Sequence, residues 1–221
     1  MDIGVFDIVG PIMVGPSSSH TAGAVHLGQS ARLLYGELPR AVTILLHGSF
    51  AATYRGHRTD VALVAGLLGL SSADPRIKEA LQLAAEQNMK VHIEEADLGE
   101  VHPNTARFLF PQGTPLREIT GCSVGGGSIE ITSINGFPIK WNGKSPALFT
   151  NHLDSPGVVA KVTGSLARAG INIGTMQVVR LKKGADALLF VETDSPVPQP
   201  VVAEIASIKD IHWVRHTKSW E

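Results

Sequence analysis

Residues 147–181 carry the reading of the fold: Ala147-Leu148-Phe149-Thr150-Asn151-His152, the turn Leu153-Asp154-Ser155-Pro156, the stretch Gly157–Ala169, then Gly170-Ile171 and Asn172–Leu181. The first run is short, apolar and bounded by turn residues, which predicts a strand over 147–152. Val159, Val162, Leu166 and Ala169 recur at spacings of three and four, so 157–169 reads as an amphipathic helix. Gly170 follows the last of them, where a helix is stopped most cheaply by a residue that accepts the left-handed conformation. Asn172–Leu181 and Ala187–Thr193 then read as strands, Pro200–Ser207 as a helix and Ile211–Thr217 as a strand. Strand-helix-strand-strand-helix-strand is the ferredoxin-like order.

Working back from this module, Asn142-Gly143 followed by Lys144-Ser145-Pro146 is polar and turn-forming, and it separates two regions of different pattern. We therefore expect two domains, 1–142 and 147–221. In the first, Ala24, Leu27, Ala31 and Leu34 share one face of a helix over 22–36, and Ala41–Leu46 is a buried strand. Thr59–Leu68 is apolar on nearly every side and predicts an interior helix. Asp74-Pro75 caps a further helix carrying Ile77, Leu81 and Ala84 and ending near Asn88. From Met89 the pattern is that of strands: 90–93, 106–110, 116–120 and 128–134, with Asn135-Gly136 as a two-residue hairpin turn into 137–141. The expected class is α+β, an α/β N-terminal domain followed by the ferredoxin-like one.

With 221 residues, 19 Lys and Arg against 20 acidic residues and a net charge of −1, the chain lacks the clustered positive charge that a nucleic-acid backbone requires. The 43% apolar and 18% charged fractions are those of an ordinary globular chain. Met1-Asp2-Ile3-Gly4-Val5-Phe6-Asp7 has no basic region of a secretory signal, and no apolar run reaches the ~18–20 residues of a membrane span, so the expected address is cytoplasmic. Cys122 is the only cysteine, which excludes an intrachain disulfide, a multi-cysteine zinc site and a self-contained iron–sulfur cluster.

Four segments carry candidate chemistry. Gly15-Pro16-Ser17-Ser18-Ser19-His20-Thr21 is a hydroxyl-rich loop opening a helix, where unpaired N–H groups and the helix dipole favour an anion. No P-loop lysine follows, so an amino-acid carboxylate is a better guest than a nucleoside triphosphate; simple helix capping is the competing reading. Arg55-Gly56-His57-Arg58-Thr59-Asp60 places a second histidine one turn before a helix, with Gly56 permitting close approach, Thr59 available as a cap and Asp60 near enough to tune the imidazole. A surface histidine among basic residues is the plainer alternative. His102-Pro103-Asn104 is a rigid loop between strands that presents polar groups to a ligand or only turns the chain. Cys122-Ser123-Val124-Gly125-Gly126-Gly127 joins two strands through glycines that leave backbone amides open to a bound group, or is a plain loop. His26 and His47 lie in or beside apolar elements and read as structural. The histidines match no HxxxH or HExxH pattern, and no zinc site is expected.

Taken together, Val5-Phe6-Asp7, the serine–histidine loop, Gly56-His57 with Thr59-Asp60, His102-Pro103-Asn104 and Ser123–Gly127 resemble the beta subunits of iron–sulfur-dependent L-serine dehydratases. Asn151-His152-Leu153-Asp154-Ser155-Pro156-Gly157 with Gly170-Ile171-Asn172-Ile173 resembles an ACT domain. The resemblance implies an allosteric-substrate-binding-like fold for 1–142. It also implies a lyase that forms pyruvate and ammonia from L-serine without pyridoxal phosphate, together with a cysteine-rich alpha subunit that ligates a [4Fe–4S] cluster. His20 and His57 become the catalytic candidates, with His57 favoured as the base. Ser17, Ser18, Ser19 and Thr21 would hold the substrate carboxylate, and Asn104, Ser123, Gly125, Gly126 and Gly127 would line the same or an adjacent site. The ACT resemblance implies self-association and an amino-acid site at His152, Asp154, Gly157 and Asn172, although many such domains serve assembly alone. A non-catalytic, amino-acid-binding regulatory subunit is the alternative, and a phosphate-binding protein is a third reading.

Overall fold

In the computed structural model, which describes residues 12–15 and 17–219, the hydroxyl-rich loop is not open: it winds into a π-helical turn, Ser18–Ala22, that runs straight into α1, Gly23–Tyr35. The acidic start of the chain, Val5-Phe6-Asp7 and Pro16 lie outside the described residues. Ala24, Leu27, Ala31 and Leu34 are buried as their spacing requires, and Gly36 ends α1 in the left-handed conformation at φ 97°. The alternating strand β1, Ala41–Leu46, follows.

Two consecutive helices come next, α2 (Gly48–His57) and α3 (Thr59–Leu67), hinged on Arg58 at φ 56° and ψ 40°. His57 therefore closes one helix as well as standing two residues before the next, and Arg58, not Thr59, occupies the N-cap position of α3. Every residue of α3 except Asp60 is buried, as the all-round apolar pattern predicts. It crosses α1 backbone to backbone: a methyl group added at Gly28 would stand 2.1 Å from the Leu63 carbonyl oxygen, and one at Gly66 would stand 2.0 Å from that of Val25.

Asp74 accepts from the Arg76 N–H at 2.9 Å, the expected cap, but the first turn, Pro75–Glu79, is a tight 3-10 turn before α4, Ala80–Glu86. Three residues per turn instead of 3.6 shifts the apolar phase, so Ile77, Ala80 and Ala84 are buried while Leu81, expected on that stripe, stays 42% exposed.

Five further strands complete one sheet: β2 (Lys90–Glu95), β3 (Thr105–Leu109), β4 (Glu118–Gly125), β5 (Ser128–Ile134) and β6 (Phe137–Trp141), in the order β2-β1-β3-β4-β5-β6. Only β1 and β2 are parallel among the registers β1–β2, β1–β3, β3–β4 and β4–β5. Strand β4 is longer than the sequence pattern suggested. Cys122 pairs with Glu130 and Ser123 with Ile129, so these residues belong to the ladder and not to a loop. The register shifts between Ser123 and Gly125, and Gly125, Gly126 and Gly127 make the turn at φ 106°, 59° and 82°.

The second unit holds β7 (Ala147–Leu153), α5 (Val158–Arg168), β8 (Ile173–Arg180), β9 (Asp186–Thr193), α6 (Gln199–Ala206) and β10 (Ile211–Thr217). Its sheet order, β10-β7-β9-β8 with every neighbour antiparallel, is that of the ferredoxin-like fold. Val162 and Leu166 of α5 and Ile205 of α6 pack on Leu148, Leu189 and Val191 as one buried core. The overall class is α+β. By contact density the chain divides after Asn142, with 136–139 grouped with the second unit. No helix of the described residues is long and apolar enough to cross a membrane.

Candidate functional site

The π-helical turn fixes His20 from its own chain. The Ser17 side chain accepts from the His20 N–H at 3.3 Å, and its hydroxyl lies 3.3 Å from the His20 Nδ1. The other ring nitrogen, Nε2, lies 3.3 Å from the hydroxyl of Ser49 in the first turn of α2. The ring meets Phe50 edge-on with centroids 5.2 Å apart, and the imidazole of His57, one end of α2 away, at 4.8 Å. Burial and the neighbouring His57 hold the His20 pKa below the ordinary histidine value, against a smaller upward pull from the Ser49 hydrogen bond. His20 is thus a neutral imidazole near pH 7, held at both nitrogens by hydroxyls. His57 Nδ1, by contrast, is buried without a hydrogen-bond partner among the described residues.

Beside His57 lies a cavity of about 360 Å³, with Thr21, His57, Arg58 and Lys78 as its polar lining and Val61 and Ile77 among its apolar walls. Arg58 donates from Nη2 to the Lys78 carbonyl oxygen at 3.1 Å, which ties the hinge between α2 and α3 to the 3-10 turn.

The His102-Pro103-Asn104 loop approaches the same helix start. The Pro103 carbonyl oxygen accepts from the Phe50 N–H, and a Cβ at Gly48, which has φ 56°, would stand 2.8 Å from Pro103. Asn104 accepts from the Ser123 N–H at 3.0 Å and donates from Nδ2 to the Ser123 carbonyl oxygen at 3.4 Å. Ser123 in turn abuts Gly23 at the head of α1, where an added Cβ would stand 2.1 Å from its Oγ. Ser17, His20, Asn104 and Ser123 are therefore linked to one locus, while Ser18 and Ser19 belong to the same turn with no side-chain bond assigned to them. Gly125–Gly127 do something else: the Gly127 carbonyl oxygen lies 2.7 Å from Nδ1 of His26, so the turn is tied to the first turn of α1. Gly56, expected to allow a close approach, has nothing within 4 Å of the point where a Cβ would stand, so it is an open helix position.

The pattern of the sequence did not reveal Ser49, Phe50, Arg58 or Lys78. Of α2 only Phe50 is buried, so the helix that carries Ser49 has no apolar periodicity to read. In the second unit, the Asp154 carboxylate pairs with Arg180 at 2.8 Å and accepts from the Gly184 N–H at 3.1 Å. These two partners hold its pKa below the usual carboxylate range. The Asn172 amide donates to Asp194 at 2.7 Å, and His152 is buried with Nδ1 3.3 Å from the Thr150 hydroxyl. Gly157 takes the left-handed conformation, at φ 88°, to open α5. Three of the four residues expected to meet a ligand there, His152, Asp154 and Asn172, are thus already engaged by side chains of the same unit.

The family model "Serine dehydratase beta chain" matches residues 4–82, and the ACT domain model matches 147–210. The chain is 43% identical over 207 residues to the probable L-serine dehydratase beta chain of Bacillus subtilis, spanning 94% of each. It is 35% identical to the L-serine dehydratase beta chain of Peptoniphilus asaccharolyticus, over 94% of this chain and 95% of that one. The chain belongs to the L-serine dehydratase beta-chain family. A similarity of a different kind, 30% over 190 residues, joins this beta chain to the D-3-phosphoglycerate dehydrogenase of Synechocystis, where it covers 83% of this chain but 34% of the dehydrogenase.

The resemblance to iron–sulfur dehydratases raises the question of whether these residues fit a cluster. They do not fit one held by this chain alone. A [4Fe–4S] cluster takes three or four thiolates. The beta chain has one thiol, Cys122, buried in β4 and pushed up to about 11 by burial and the nearby Glu130.

Proposed function

We propose that this chain is the beta subunit of a two-chain L-serine dehydratase that eliminates water from L-serine to give pyruvate and ammonia. In this reading the enzyme is a cytoplasmic heteromer in which a cysteine-rich alpha subunit ligates the [4Fe–4S] cluster and pyridoxal phosphate takes no part. One observation carries the proposal: a neutral His20, fixed between the Ser17 and Ser49 hydroxyls, stands 4.8 Å from a His57 whose Nδ1 has no partner among the described residues and which lines a cavity.

Eliminating water from serine removes the α-proton and the β-hydroxyl. The resulting enamine tautomerises to an imine, which water hydrolyses to pyruvate and ammonia. The α-proton of an amino acid is weakly acidic, so a base must sit against it. His57 takes that proton, and His20 packs against its ring and orients it. Ser17 and Ser49 keep His20 in place, and the Asn104–Ser123 bonds support the floor of the site.

The test is reconstitution of this chain with the cysteine-rich alpha subunit and iron under anaerobic conditions. His57→Ala should lower pyruvate formation by about 100-fold or more, the usual scale of a general base, with a smaller change in serine affinity. A normal rate in both His57→Ala and His20→Ala variants would remove the catalytic assignment.

A second reading has its own support. Most of this chain resembles a third of a dehydrogenase with a different reaction, which suits a binding and regulatory module. Titrating the full chain with L-serine while following its melting temperature separates the two: stabilisation without partner-dependent effects of His57 favours regulation. Self-association is assigned to the ACT unit. Strand β8 lies at the sheet edge with Met176 and Val178 exposed, a surface suited to pairing with a second copy.

A further inference from the structure

We propose that Arg58, with Lys78, is the anchor for the α-carboxylate of the amino-acid substrate, in the cavity beside His57. The inference rests on the reading of His57 as part of the amino-acid site, and it moves the carboxylate from the serine side chains to the basic side chains that line the cavity. Ser17 is already engaged by His20 through its Oγ, and it does not line the cavity.

Three observations support the assignment. The cavity lining contains Arg58, Lys78 and His57 and no carboxylate, so its field favours an anion. Thr21, 3% exposed, lines the same cavity with its Oγ1 lacking any hydrogen-bond partner among the described residues, a buried hydroxyl that a ligand oxygen would satisfy. Arg58 itself occupies the left-handed region at φ 56° and ψ 40°, a conformation uncommon for a long side chain, and its Nη2 is steadied by the Lys78 carbonyl oxygen at 3.1 Å. That bond engages one of the five guanidinium N–H groups and leaves others for a carboxylate, which Arg binds as a planar fork. The volume, about 360 Å³, lies at the small end of the range for small-molecule sites and suits a compact amino acid.

The hinge makes a structural role for Arg58 separable from a binding role. Glycine adopts the left-handed conformation without strain, so Arg58→Gly should keep or raise the melting temperature while removing the guanidinium. In the reconstituted enzyme, Arg58→Gly and Arg58→Gln should raise KM for L-serine by about 10- to 100-fold, the loss of a charge-assisted pair, with kcat much less affected. Arg58→Lys should recover part of the affinity, and Lys78→Gln should weaken it less. L-Serinamide, which replaces the carboxylate by a neutral amide, should be a poor substrate for the wild type, and Arg58→Gly should narrow that preference. An unchanged KM in the Arg58→Gly, Lys78→Gln double variant, or equal use of L-serine and L-serinamide by the wild type, overturns the assignment. If the reconstituted enzyme does not convert serine, the dehydratase reading fails on its own. Thermal stabilisation of the full chain then decides this one: it stands if L-serine but not L-serinamide raises the melting temperature and Arg58→Gly abolishes the effect, and falls otherwise.

Discussion

His20 is where the sequence and the fold contribute most evenly to one residue. The sequence places it three residues after Ser17, and the fold brings Ser49 to its other nitrogen and His57 to its face. Its lowered pKa has consequences of definite sign. A histidine whose folded-state pKa lies below its unfolded value takes up protons more readily when the chain unfolds. The associated stability is complete above the ordinary value of about 6.5 and is lost as pH falls through it toward the folded value. His152 and His216, lowered chiefly by burial, act in the same direction. The melting temperature should therefore decline on acidification from pH 7 to 5, and His20→Gln should flatten part of that decline in a pH series of thermal melts. An unchanged slope in the variant would mean that His20 is not held neutral by its surroundings. Ser17, His20 and His57 were legible as candidates because hydroxyls and imidazoles gathered beside helix ends are the groups that bind anions and move protons, even though capping and surface exposure account for such residues as well. Ser49 and Lys78 were not, because they join the locus only when α2 and the 3-10 turn fold against it.

At the scale of elements, the scaffold that presents His57 depends on how closely α1 and α3 approach. Their contact is made by Gly28 and Gly66, and the atoms that a side chain would strike belong to backbone, not to a flexible side chain that could yield. Gly28→Ala or Gly66→Ala should therefore destabilise the first unit by about 1–3 kcal/mol, the usual cost of overpacking, despite the better helix propensity of alanine. Chemical denaturation measures this directly, and a stabilising outcome would show that the crossing is looser than these distances. Elements with a strong apolar period, α1, β5 and β6, and the uniformly apolar α3 were legible almost to the residue. The failures have local causes. Helix α2 buries only Phe50, so nothing periodic marks it. The phase of α4 is displaced by the 3-10 turn before it, which leaves Leu81 in solvent. The glycine run read as a loop because its residues have no side chains to show an alternation, yet Cys122 and Ser123 are ladder residues and the turn itself serves His26.

The whole molecule joins a site-bearing unit to a ferredoxin-like one whose sheet order followed from the strand and helix pattern alone, because four short strands and two helices in that sequence have few ways to pack. What the pattern of a single chain does not declare is which edge is left for another copy. Strand β10 closes one side of the second sheet and β8 the other. On β8 every residue from Gly174 to Val178 is exposed, and Met176 and Val178 retain 47% and 44% of their surface in contact with solvent. An exposed, apolar edge strand is a template for pairing unless charge, proline or a bulge blunts it, and β8 carries only Arg180 at its far end. Its one irregularity, between Ile173 and Thr175, lies at its start and leaves the Met176–Val178 segment straight. Replacing Met176 and Val178 together with lysine places two like charges at each position of a two-fold pairing and should convert a dimer of the full chain to monomer in sedimentation velocity. Because both side chains are exposed in the isolated unit, the melting temperature at low protein concentration should change by little. A variant that stays dimeric would move the self-association surface away from β8, and a wild-type chain that is monomeric at all concentrations would remove the assignment of assembly to this edge.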